Sequence, residues 1–545
     1  MKTTKKLLAL LLALVMVASV LTACGGGETG GNQGTSNGDS KYGGHLNVCI
    51  KSRPTSVDPV KATNSWNRQW ASCIYEPILT RDADNEIRPC VCDFELSEDQ
   101  TDLKLWPREG YVFSGGYGEV DIYDVEASFN RGLKMQSGVK KYVKPNVVSA
   151  TVENDGEKDY LHVVFNGYNE MNMYYLANYQ TWWPVIPKEI CEKYASTNIM
   201  AQIEDAVGTG PYKVTELQDS VQITLTKRDD YVPVDNSMYT GTAGTKYGYM
   251  DTITFWYNGD DASAAMAVLA GDYDMTEAIP VDYKAMAEEV GITLTTLPTD
   301  QRTWVFFNTV GNTLCAKYPA LRKAVMAAID YEEFLKVVTD SSQRFDLNII
   351  VGDKYNTDAF TSQDYYGPAN QEVVDKYLAE ARAAGYKDEP LQLCLSTGRV
   401  DMANMFRKAM DESGINYEMI MQEPAHNSSF RGDPSNNWDF YFAWGVSAYT
   451  PSLLSDTLVV DLYANEEKDQ ILAEMRTLDP DSEEYMALWD RLAKLTADGC
   501  YIGYMSAIDW WWWHPETLNI NNDEGLVRFH YNTYWDDPQN HPKKS

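Results

Sequence analysis

The chain has 545 residues, 44% of them apolar and 23% charged, and 46 Lys and Arg stand against 79 Asp and Glu for a net charge of −33. A surface this acidic repels phosphate backbones and anionic lipid headgroups, which excludes nucleic acid as a partner and leaves no electrostatic route to a membrane. A single hydrophobic core seldom organises a chain of this length, so two or three lobes are expected.

At the N-terminus Lys2, Lys5 and Lys6 form a positive region, Leu7 to Val20 an unbroken apolar run, and Leu21-Thr22-Ala23-Cys24 ends it in small residues before a thiol, the order of an export signal. The segment resembles the lipobox of bacterial lipoproteins, in which cleavage before the cysteine leaves its sulfur to carry diacylglycerol. Residues 1–23 are therefore read as a signal peptide and Cys24 as the lipidation site. Residues 24–42, rich in Gly, Ser, Asn and Thr, are the expected flexible linker. The apolar run is short for a bilayer crossing, and no later stretch reaches the length of about 18 apolar residues that a spanning helix needs. The protein is thus expected on the outer face of the cytoplasmic membrane, held there by lipid.

Short strands and helices alternate along the rest of the chain, which argues a mixed α/β fold. His45 to Ile50, Val221 to Thr226, Thr252 to Trp256 and Asp439 to Trp444 read as strands. Ala320 to Ile329 reads as a helix, and Asp330 with Glu333 has the form of a capping box for the next. Glu372 to Ala384 is a further helix, with Val373, Val374, Tyr377, Leu378 and Ala381 on one face and Gly385 as its stop. Beyond Cys24 lie Cys49, Cys73, Cys90, Cys92, Cys191, Cys315, Cys394 and Cys500. Their spacing contains no C-x-x-C pair, so zinc and redox motifs are unsupported. Buried free thiols are favoured over disulfides, which an even count in an exported protein also permits.

Several short blocks recur in a set order: Tyr75-Glu76-Pro77-Ile78-Leu79, Glu86-Ile87-Arg88-Pro89, Gly110 to Gly116, Asp121 to Val125 with Ser128-Phe129-Asn130-Arg131, and Val207-Gly208-Thr209-Gly210-Pro211-Tyr212. Ala267 to Asp274, Phe306-Phe307-Asn308, Leu321-Arg322-Lys323-Ala324 and Ala328-Ile329-Asp330 follow. The Gly-Thr-Gly-Pro-Tyr block alone could be any tight turn, since two glycines permit positive φ and a proline fixes the exit. The whole series resembles the family 5 extracellular solute-binding proteins of ABC importers, which include oligopeptide, dipeptide and nickel binders. The resemblance runs from about Gly43 to Trp444 and beyond. It implies a two-lobed periplasmic-binding-protein-like α/β fold (type II, cluster C) with an extra inserted lobe. Residues 43–78, 207–292 and 501–545 would form lobe I, residues 79–206 the insertion, and residues 293–500 lobe III. The lobes would close on a ligand by hinge motion and present it to a permease and ATPase on separate chains.

Two departures stand out. Arg108 to Gly116 lacks the His and Asp that the family carries there, a change expected to spare the fold. Relatives that take peptides resemble the segment Trp444 to Pro451 but place an Asp three residues after the Trp, where it pairs with the peptide's α-ammonium. Here that position is Ser447, and losing a charge-assisted bond costs about 1.5 to 3 kcal/mol. Asp439 lies nearby but reads as structural. Asn64, Trp66, Trp304, Trp444, Ser447 and Tyr449 are the candidate ligand-binding residues, because they match stretches that line the cleft in relatives. Trp510 to Trp513 read instead as strand residues packed in the core, where at most two share a face.

His426 and His514 are far apart, and no carboxylate or His cluster with ligand spacing joins them, so no metal site and no cofactor are expected. No G-x-S-x-G elbow or phosphate-binding loop is present, and the chain is not expected to be an enzyme. The reading is a monomeric, tethered solute-binding lipoprotein of an ABC importer with peptide or peptide-like cargo. Oligosaccharide is the alternative cargo, supported by aromatics at 12% and by Ser447. A tethered sensor or adhesion module without transport is the alternative of another class.

Overall fold

The computed structural model describes residues 41–545 except 63–64, 85, 137–138, 178–182, 196–198, 201, 278–282, 339–352, 398–399, 423–429, 432, 434–435, 447–450, 452–462, 521–529 and 542–545. Strand β1 (His45–Ile50) coincides with its expected range. A hairpin of β2 (Leu79–Arg81) and β3 (Ile87–Pro89) follows, then β4 (Cys92–Leu96), β5 (Asp102–Pro107), β6 (Val147–Asn154) and β7 (Asp159–Phe165). Next come β8 (Tyr212–Gln218), β9 (Gln222–Lys227), β10 (Thr252–Tyr257), β11 (Met275–Glu277) and the long β12 (Ile292–Phe307). Then come β13 (Leu391–Ser396), β14 (Tyr417–Gln422), β15 (Phe440–Val446) and the long β16 (Ile502–Pro515), and a short antiparallel pair, β17 (Leu518–Asn519) and β18 (Tyr534–Trp535), follows.

Ten of these strands form one sheet in the order β14-β13-β15-β12-β16-β11-β1-β10-β9-β8. It has two wings. In the near wing β1 lies parallel to β10 and β11, and in the far wing β13 lies parallel to β14 and β15. Strands β12 and β16 belong to both. Their first pairing, Ile292–Leu297 against Trp510–Pro515, lies beside β11, and their second, Gln301–Phe306 against Ile502–Ile508, lies beside β15, with the register broken between Leu297 and Gln301. Strands β4 to β7 make a separate four-stranded sheet, order β4-β5-β7-β6.

Alternation along the strands builds the cores. On β12, Val305 and Phe307 enter one far-wing cluster with Leu321, Leu378, Leu393 and Phe440. Trp304 and Phe306 enter another with Tyr441, Leu472 and Trp489, which continues without a break into the core of the segment before β8 through Phe129, Leu161, Tyr175 and Trp183. Helices Ala320–Ala328 and Gln371–Ala383 therefore cover one face, and Glu466–Met475 and Glu483–Gly499 the other. On β16, Trp512 joins the near-wing core with Val48 and Phe255, while Trp513 joins a small cluster with Val268 and Ala287. Core packing is thus the observed role of these two; the side chains of Trp510 and Trp511 lie outside the described residues.

The Gln371–Ala383 helix is capped by Asn370, buries Val374, Tyr377, Leu378 and Ala381, and ends where Gly385 takes φ +106°. Asp330 accepts the N–H groups of Glu332 and Glu333 at 3.0 and 3.1 Å. All eight cysteines beyond Cys24 are buried and free. The Gly208-Thr209-Gly210 segment corrects the expected reason for its glycines: neither has positive φ. A Cβ on Gly208 would sit 2.1 Å from the Ile74 carbonyl oxygen, and one on Gly210 2.7 Å from that of Cys73, so close backbone approach demands glycine here.

That approach sets up a buried ion pair. Thr209 donates to Glu76 at 2.8 Å, and Lys246 donates to the other Glu76 oxygen at 2.7 Å. Both charged side chains are under a tenth exposed. Glu76→Ala strands a buried ammonium and is expected to lower unfolding free energy by about 3–5 kcal/mol in denaturant titration, whereas Glu76→Leu combined with Lys246→Met loses much less. Equal losses would mean that the charge is not what matters.

Candidate ligand-binding cleft

The strand register locates the cleft. Glu277, at the carboxyl end of β11, pairs with Trp512, so β11 and its parallel neighbours β1 and β10 point their carboxyl ends toward the break at Leu297/Gln301. Val446, at the carboxyl end of β15, pairs with Gln301, so β15, β13 and β14 point theirs toward the same break from the other wing. Open α/β sheets bind ligands outside the carboxyl ends of their strands. Here the carboxyl ends of two such strand sets face one another across β12 and β16.

On the near side, helix Ser65–Ala71 sits over the exit of β1, where the Asn67 amide donates to Ser52 at 3.3 Å. Trp66 on this helix is half-buried and packs against the near-wing core. Lys51 and Asp261 form an ion pair at the same exit. On the far side, Trp304 is 5% exposed and meets Phe306 edge to face at 5.5 Å. The backbone of Trp444 pairs with Thr303, one register position from the pairing of Trp304 with Ala443. The backbones of the two candidate tryptophans therefore lie one register position apart, on strand positions that alternate between faces of the sheet, and the Trp304 side chain packs in the core, while Trp66 comes from the opposite wing. Asn64, Ser447 and Tyr449, with the side chain of Trp444, lie outside the described residues, as do Cys24 and His426.

Asp439 is structural, as read. It accepts the N–H of Cys315 at 3.0 Å and that of Gln392 at 2.8 Å, tying β13 and the start of β15 to the chain after β12, and burial pushes its carboxyl above the usual range. His514 is also internal, with its ring nitrogens 2.7 Å from the Thr295 hydroxyl and 2.8 Å from the Pro515 carbonyl. Among the described residues no group of three His, Cys, Asp or Glu side chains is placed to hold a metal ion, and no helix is long and apolar enough to cross a membrane.

The sequence reading missed a network beneath the near crevice. The Gln69 side-chain amide donates to Glu277 at 2.7 Å, and the His530 Nε2–H donates to the Gln69 side-chain Oε1 at 3.2 Å. Glu277 is 3% exposed, so a carboxylate lies under the carboxyl ends of β1 and β11. No spacing rule links residues 69, 277 and 530, which only the fold brings together. His530, packed against Phe255 and Trp512, has its pKa lowered from 6.5 to about 3 by burial. Above pH 6.5 neither folded nor unfolded chain is protonated there. Between pH 6.5 and about 3 the unfolded chain takes up a proton that the folded chain refuses. Stability therefore falls on acidification by about 1.4 kcal/mol per pH unit. In His530→Gln the loss between about pH 7 and about pH 5 should shrink accordingly; an identical slope would place the pH dependence elsewhere.

Residues 65–460 match the family model of bacterial extracellular solute-binding proteins, family 5. The chain is 26% identical over 361 residues to the oligopeptide-binding protein OppA of Bacillus subtilis (strain 168), an alignment covering 62% of each chain and so less than two thirds of that relative's length. Its fold is similar to that of the periplasmic binding protein DppA from Helicobacter pylori in complex with the peptide STSA, with a TM-score of 0.74 at 16% identity over 91% of this chain and 99% of that one. It is also similar to NikA from Staphylococcus aureus in complex with Ni(L-His)2, with a TM-score of 0.71 at 16% identity over 90% of this chain and 100% of that one. With the family model spanning most of its length and the two-winged α/β fold matching end to end, this chain belongs to the bacterial extracellular solute-binding proteins of family 5.

Proposed function

We propose that this protein captures a peptide or peptide-like solute between its two wings and delivers it to the permease and ATPase subunits of an ABC importer. The observation that carries the reading is the convergence of two sets of strand carboxyl ends on one crossing, in a member of a solute-binding family. The peptide class is supported by the relative named as an oligopeptide-binding protein and by the peptide in the Helicobacter structure. Asn64, Trp66, Trp304, Trp444, Ser447 and Tyr449 would line the cleft. Lobe I would comprise residues 43–78, 207–292 and 501–545, the insertion 79–206, and lobe III 293–500. The mature chain would begin at Cys24, carry lipid there, and work as a monomer on the outer face of the membrane through the linker 24–42. Capture needs no bond chemistry, only exclusion of water and polar contacts that strengthen on closure.

Saturating peptides should raise the melting temperature of the mature chain, since a ligand at about 100 times its Kd adds about 2.7 kcal/mol. Ser447→Asp should tighten binding of peptides with free N-termini by roughly one to two decades, as a carboxylate replaces a hydroxyl opposite the ammonium. A melting shift with oligosaccharides and none with peptides would instead make the aromatics sugar-stacking platforms.

A further inference from the structure

The two wings meet a second time, away from the cleft. Helix Glu466–Met475 follows β15 in the chain and buries Leu472 and Met475 in the cluster that holds Trp304 and Tyr441 of the far wing and, continuous with them, Tyr174 and Tyr175 of the inserted segment. Its C-cap residue is Arg476, whose carbonyl accepts the N–H of Glu170 at 3.1 Å. Glu170 opens the helix Glu170–Ala177 of the inserted segment. Two helix ends therefore meet, an orphan carbonyl against an orphan N–H, with their dipoles head to tail. The Arg476 guanidinium stands 5.3 Å from the centre of the Tyr142 ring, and Tyr142 stacks on Tyr175 at 5.8 Å. Burial pulls the guanidinium below its ordinary range, and a cation on an aromatic face gains most where water is excluded.

The inserted segment is fastened to the near wing. Arg108 donates to Asn236 at 2.8 Å, and the hydroxyls of Thr80 and Thr242 lie 2.7 Å apart. Opening the wings would therefore separate Glu170 from the Arg476 carbonyl and return the guanidinium to water.

We propose that Arg476, Tyr142 and Glu170 form a latch that populates the closed arrangement before cargo arrives, and so set cargo affinity from outside the cleft. The proposal rests on the reading that the wings close about the β12–β16 crossing. A ligand that needs the closed arrangement gains affinity in proportion to the fraction already closed. Arg476 is thus a positioning residue, and nothing requires it to touch the cargo.

The test measures the separation of two spin labels in the mature chain with Cys24→Ser, one at Glu157→Cys on the insertion and one at Glu412→Cys on the far wing. The eight remaining cysteines are buried, so the labels report the introduced sites. Without ligand the parent should show both a short and a long separation. Arg476→Ala should cut the short population at least about fivefold, Arg476→Lys should keep part of it, and Tyr142→Leu should reproduce the loss from the other side. Wings that move on adding the peptide Ser-Thr-Ser-Ala or the variants' own ligand-free equilibrium, yet ignore Arg476→Ala, would overturn the latch and leave the hinge standing. A parent found only open without ligand would also overturn it. One fixed separation in every variant, with and without that peptide, would remove the hinge reading and the latch together.

Discussion

Two antiparallel strands shared by both halves of the molecule are the constraint on which the rest depends. Strands β12 and β16 pair along each wing, but the pairing breaks register between Leu297 and Gln301, with a further one-residue shift between Thr303 and Trp304. A ladder of backbone hydrogen bonds resists shear and splay, so each wing is stiff, and the compliance concentrates where the ladder is interrupted. The strand directions then follow from the same pairing. Glu277 beside Trp512 and Val446 beside Gln301 oblige the carboxyl ends of both parallel sets to face the crossing, and a ligand held there is held by both wings at once.

Rotation can close a cleft only if each side moves as a body, and buried polar contacts stiffen the near side. Arg131, on the helix Ile122–Met135, donates to Asp58 at 2.7 Å, and the N–H of Met200 reaches the same Asp58 oxygen at 3.1 Å. Lys246 and Glu76 form a second such pair, and Gln69, Glu277 and His530 join the C-terminal segment to both strand and helix. Each removes polar groups from water and gives them fixed partners, so loosening any of them leaves a buried group unsatisfied. On the far side, the Arg322 guanidinium bridges the carbonyls of Cys315 and Gly499, and Tyr365 donates to the Ala497 carbonyl, tying the helices of opposite faces together.

The strands and helices were legible where periodicity and caps agreed: β1 and the helix Gln371–Ala383 lie within a residue of their expected ranges. Asp439 was legible because a carboxylate at the start of an apolar strand has to meet backbone N–H groups. The double membership of β12 and β16 was not legible, since a strand's pattern says that it alternates and not which neighbours it meets at either end. Gly208 and Gly210 were read as turn residues because sequence does not reveal that another backbone passes within contact distance. Of the candidate site, Trp304 and Trp444 sit one register position apart on paired strands, whereas Glu277 was invisible because its partner Gln69, itself held by His530, comes from a distant part of the chain.

On the proposed function, the region where β12 and β16 break register would hold one peptide per chain. Native mass spectrometry of the mature chain after incubation with a short-peptide digest and removal of free peptide tests it most directly. The expected result is a 1:1 complex whose extra mass is released on denaturation and sequences as peptide. A chain that stays empty after that incubation, or that retains a sugar in preference to every peptide, would contradict it.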